Sequence, residues 1–155
     1  MEPNSSTSDR VLLEELRRHR AELRESMSAL EDALAAPATT DQARWAERVH
    51  AALVELTGDL REHIHNTEGP DGLYRDLLKT SPRLSDAVAS LTHEHVLVCR
   101  QVDDLLARVT APDVTGRVDR IRDSGTTLLG RLVRHRQRGS DLVFEAYEFD
   151  IGGET

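Results

Sequence analysis

Leu60-Arg-Glu-His-Ile-His-Asn-Thr-Glu-Gly-Pro-Asp-Gly-Leu-Tyr74 begins as a helix and runs into a break that no regular helix tolerates. Just before it, Val49, Leu53, Leu56 and Leu60 recur every three or four residues, the period of one buried helix face. The next positions of that face are His63 and Thr67, and Glu68 follows. An inward histidine with a carboxylate about one turn away is a metal-site arrangement, provided other helices complete it. The reading therefore turns on what the rest of the chain places beside this helix.

Outward from this stretch the same period recurs. Helix one is expected from about Asp9 to Ala36, with Leu12, Leu16, Leu23, Met27, Leu30 and Leu34 inward and His19 in the position the stripe skips. Pro37 ends it, and Thr40 or Asp41 caps helix two. After the glycine-proline break, Leu73 to Thr80 makes another turn or two. Ser81-Pro82 then starts helix three, with Leu84, Val88, Leu91, His95, Val98 or Cys99, Val102 and Leu106 inward. Ala111-Pro112-Asp113 closes that helix, with Asp113 a cap. Helix four is expected from Val114 to Tyr147, presenting Val118, Ile121, Leu128, Leu132, His135, Gly139 and Leu142. No strand-like alternation occurs. The expected fold is all-α, an up-down-up-down four-helix bundle over residues 9–153, behind a disordered lead at 1–8.

Composition narrows the function classes. At 155 residues the chain is one domain of common size. Aromatic residues are few, so leucine, valine, isoleucine and alanine must fill the core, as packed helices allow. A net charge of −8 without a basic stripe argues against nucleic acid. No apolar run approaches the ~20 residues of a membrane span. Cys99 is the single cysteine, and the N-terminus has no signal-peptide core, so a cytoplasmic protein is expected, monomeric or a weak homodimer.

Seven histidines occur, of which His50, His65 and His93 fall away from the apolar faces. His19, His63, His95 and His135 stand one to a helix, each where a leucine is expected. A buried imidazole costs desolvation and needs a partner, so four independent ones are hard to explain. A shared metal site satisfies all four. Counted from the loops, His63 and His95 come level, whereas His19 and His135 are offset by about 8 Å at 1.5 Å per residue.

Carboxylate donors are less regular. The positions four residues after His63 and His135 are Thr67 and Gly139, neither of which supplies an anion. Glu68 is one residue further on, and a π-type widening beside the break would turn it towards His63. Asp141 and Glu145 are the helix-four acids that could join the site, though both lie off the stripe. Asp59, one turn before His63, is placed to orient its ring, and Cys99, one turn after His95, could face the site.

Taken in order, these residues resemble the hemerythrin-like (HHE cation-binding) family from His19 to about Gly153. The resemblance rests on one inward histidine in helix one, a histidine with an acid in helix two, Glu94-His95 in helix three, and a histidine followed by acids in helix four. The segment His135-Arg-Gln-Arg-Gly-Ser-Asp-Leu-Val-Phe-Glu-Ala-Tyr147, with Asp150-Ile-Gly-Gly153, is similar to the tail of short bacterial members. The resemblance implies a four-helix bundle holding two non-haem irons, oxo- or hydroxo-bridged, with His19, His63, Glu68, His95 and His135 as ligands. Two features depart from the family. Leu91 stands where the oxygen carriers have a second helix-three histidine, and Gly139 and Ser140 stand where the helix-four acid belongs.

The function expected is iron binding coupled to dioxygen, peroxide or nitric oxide, as a ligand carrier or sensor. Nothing in the sequence marks a pocket for an organic substrate, which ranks binding above catalysis. Peroxidase- or catalase-like turnover, or consumption of nitric oxide, at the same centre is the enzymatic alternative. A zinc-bound or metal-free helical interaction module is the other.

Overall fold

The structure, a computed structural model, describes residues 5–112, 114 and 116–149. All the regular structure among them is helical: α1 (Ser5–Ala35), α2 (Gln42–Glu68), the short α3 (Leu73–Thr80), α4 (Ser85–Thr110) and α5 (Val118–Phe144). A 3-10 turn at Pro82–Leu84 leads into α4, and a π turn at Glu145–Phe149 extends α5. The four long helices pack in a ring, α1 on α2, α2 on α4, α4 on α5 and α5 on α1. Short connections join them, so the chain forms a four-helix bundle.

Local signals explain most of the boundaries. Asp41 caps α2 by accepting a hydrogen bond from the Arg44 backbone N–H at 3.0 Å, a contact worth about 1 kcal/mol. α1 starts at Ser5, inside the segment expected as a disordered lead; residues 1–4 lie outside the described residues, as do Asp113 and Asp150–Gly153. α5 begins at Val118, four residues later than expected, because Gly116 turns the chain at φ 89°, a conformation cheap only for glycine.

The glycine-proline break turns the chain more tightly than its sequence suggests. A Cβ at Gly69 would lie 2.4 Å from the His65 carbonyl oxygen, and one at Gly72 would lie 2.6 Å from that of Thr67. Both positions need glycine for close approach, since neither has a positive φ. The expected π widening beside His63 is not formed, and α2 stays α-helical to Glu68. What the turn does is return α3 against the end of the bundle, where Tyr74 and Leu77 are buried.

Two apolar clusters make the core. The larger contains Leu30, Leu53, Leu56, Leu60, Val98, Ile121, Leu128 and Leu132, and the smaller contains Tyr74, Leu77, Leu84, Leu91 and Leu142. On α4 the inward position settles on Val98 rather than the half-buried Cys99, and further on Leu105 replaces Leu106 as the helix face drifts. Each fully buried leucine contributes roughly 1.5–3 kcal/mol. Along α4 and α5 the histidines fall between the clusters: Leu91, His95, Val98 on one, Leu132, His135, Leu142 on the other. A polar layer thus divides an apolar core.

Candidate metal centre

Three of the four inward histidines meet in that layer. His63 from α2, His95 from α4 and His135 from α5 turn their Nε2 atoms together, 3.2 Å between His63 and His135 and 3.0 Å between His95 and His135. His95 and His135 are 3% and 2% exposed, and His63 is half-buried. The offset counted along the sequence for His135 is taken up by the packing of α5.

Carboxylates stand behind two of the rings. Glu68 Oε2 lies 3.0 Å from Nδ1 of His95 in a hydrogen bond, and Glu94 Oε1 lies 3.3 Å from Nδ1 of His135 without forming one. Glu94 is itself buried and its other oxygen accepts a hydrogen bond from Arg138, which compensates the buried charge. An acceptor at Nδ1 places the ring proton there and leaves Nε2 as a bare lone pair. Glu68 thus leaves the His95 Nε2 as a lone pair 3.0 Å from the Nε2 of His135, a contact completed by a proton on the His135 nitrogen or by a cation between the rings.

A second proton on any of these rings is disfavoured by the surroundings. Burial, then the neighbouring His95 and His135 and the charges of Arg136 and Arg20, press the pKa of His63 down to about 3. Burial and His135 lower His95 to about 4, and burial lowers His135 as well, with Glu68 acting against it. Neutral imidazole is the form that binds a metal. Nitrogen donors held at ~2.0–2.1 Å around one ion, at angles near 90–110°, stand ~2.9–3.4 Å apart. The observed spacings of 3.0 and 3.2 Å fall in that range, so the donor set fits a single ion.

Other expected site residues take different places. Glu68 does not pair with His63 on its own helix but backs His95 across the bundle. His19 lies apart from the three-histidine cluster, its Nδ1 3.5 Å from Glu22 and 3.4 Å from Glu62. These three form a separate, more exposed group of possible donors. Asp59 accepts a hydrogen bond from Ser26 on α1, tying the two helices together instead of orienting His63. Cys99 is half-buried, and burial with the nearby Asp103 raises its thiol pKa, so it holds its proton. Asp141 accepts from Gln137 at 3.0 Å, and it lines, with Glu145, a groove on Leu91 and Arg138 rather than the histidine cluster.

Two residues of the site are not among the donors or orienting residues expected from the sequence, although Glu94 appears there beside His95. Glu94 falls three residues after Leu91 and four before Val98, a helical spacing that marks it as inward-facing. Tyr74 stacks on His95 with centroids 6.2 Å apart and planes 8° apart. Only the tight Gly69–Gly72 turn brings it there. Burial lifts the Tyr74 pKa to about 12, so the ring is a neutral lid on the imidazole.

Comparison with known protein families, with curated proteins and with solved structures finds no match. None of the described helices is long and apolar enough to cross a membrane.

Proposed function

We propose that this chain is a hemerythrin-like, non-haem iron protein whose three-histidine centre binds or senses a small ligand such as dioxygen, peroxide or nitric oxide. The observation that carries this reading is the convergence of three imidazole Nε2 atoms from three helices, His95 and His135 at 3.0 Å with His63 joining at 3.2 Å. His63, His95 and His135 would hold the ion. Glu68 and Glu94 would keep two of the rings in the metal-binding tautomer, and Tyr74 would shield one side from water. A bound ferrous ion would supply an open coordination position and one-electron chemistry there. The less buried His63 marks the side from which a ligand would arrive. In the di-iron form of this reading a second ion would draw on His19 and carboxylates outside the three-histidine set.

Three imidazoles without a converging carboxylate oxygen also make a zinc donor set, which favours zinc as the second reading. Metal analysis of protein from iron-replete medium separates the two. Iron at one or two per chain, with an absorption band that changes when air meets the reduced protein, is the expected result. Zinc, or no metal and a melting temperature insensitive to added iron, overturns the iron reading. Sustained consumption of peroxide beyond one equivalent would move the protein from binder to enzyme.

A further inference from the structure

A cavity of about 260 Å³ lies between α1, α2 and α5, and His63 and His135 form part of its wall. The rest of the lining divides by chemistry. Leu23, Leu73 and Val143 are apolar, while Arg17, Arg20 and Arg136 are cationic. The same three arginines, now with Arg24, line an adjoining surface concavity whose one acid is Glu25.

Four guanidiniums gathered in one place run against the chain's net charge of −8. Among the described residues, Arg17, Arg24 and Arg136 have no carboxylate partner, and Arg20 donates only to the Ser140 hydroxyl. The Arg136 Nε is buried without a hydrogen-bond partner, and Arg20 and Arg24 repel its charge. Arg17, Arg20 and Arg24 are exposed, whereas Arg136 is half-buried, so its guanidinium, short of a partner and beside two like charges, is the one an anion would stabilise most.

We infer that this cavity binds a short-chain organic monocarboxylate, its head on Arg17, Arg20 and Arg136 and its chain along Leu23, Leu73 and Val143. The planar guanidinium matches a carboxylate in two parallel hydrogen bonds. The apolar walls offer nothing to the far side of a phosphate but suit a hydrocarbon chain. A cavity of ~150 Å³ takes benzene, so the larger space here suits a chain of about eight carbons. His63 and His135 wall this space, but the anion argument does not rest on the metal reading, because no histidine supplies the charge.

Octanoate, titrated calorimetrically into the full chain as purified and again after chelator treatment, tests the site. One-to-one binding is expected in both preparations, with octanol and inorganic phosphate each at least tenfold weaker. The double variant Arg20→Gln/Arg136→Gln should bind octanoate at least tenfold more weakly, and Arg17→Gln, on the exposed face of α1, should weaken it in the same direction. Gly139 lines the cavity and has open space where its Cβ would be, so Gly139→Leu should fold and fill the space, abolishing binding. Absence of octanoate binding, equal binding of octanol or phosphate, loss of binding on chelation, or affinity unchanged in these variants would each overturn the inference. Failure of the iron reading would appear instead as a metal-free chain that still binds octanoate.

Discussion

Glu68 on α2 holds the Nδ1 of His95 on α4 at 3.0 Å, across the bundle rather than along its own helix. On the proposed reading the carboxylate would support His95 from across the bundle instead of joining His63 on its own helix. Burial raises the Glu68 pKa, and a Thr92 hydroxyl and His135 offset that rise only in part. Glu68→Gln keeps the shape and removes the acceptor charge. Metal affinity should fall about 10–100-fold, the usual cost of losing such a partner, while helix content by circular dichroism stays unchanged. An unchanged dissociation constant would mean that His95 is oriented by packing under Tyr74 alone.

Acid should destabilise the metal-free protein early. His63 and His95 have folded-state pKa values of about 3 and 4, below the ordinary value of 6.5. Between these values the unfolded chain binds more protons than the folded one, so stability falls as pH drops through 6.5 and continues to fall to about 4. His63 alone contributes a loss of about 3 kcal/mol between pH 7 and 4. Urea melts across that range should show the decline beginning above the carboxylate region. A flat profile from pH 7 to 5 would show that the histidines are protonated in the fold.

Removing a histidine should separate stability from binding. His63→Leu places an apolar side chain between Leu60 and the smaller apolar cluster and ends the close approach to His135. The metal-free variant should be more stable at pH 7 by about 1–2 kcal/mol, and by more at pH 5, yet bind metal at least 100-fold more weakly. Loss of stability in the metal-free state would show that the imidazole layer is not a cost to the fold.

Two glycines of α5 should respond in opposite directions. A Cβ at Gly139 would meet nothing within 4 Å, so Gly139→Ala should stabilise by about 0.8–1 kcal/mol through helix propensity. At Gly125 a Cβ would lie 2.4 Å from Leu34 Cδ1, so Gly125→Ala should cost about 1–3 kcal/mol despite the same propensity gain. Thermal melts of the two variants check the pair.

The sequence by itself determined the helices and the three histidines of the polar layer, though it also expected His19 among them. A 3.6-residue period reports which side chains share a face, and His63, His95 and His135 occupy leucine positions on theirs. What stands behind each ring was decided only by the tertiary structure. Glu68 meets His95, Glu94 meets His135, and His19 turns to Glu22 and Glu62, because helix rotation and stagger set which faces oppose. No single-helix periodicity contains that relation. The same holds for Tyr74 on His95, which depends on a turn too tight for any Cβ, and for the arginine-rimmed cavity, whose arginines come from α1 and α5.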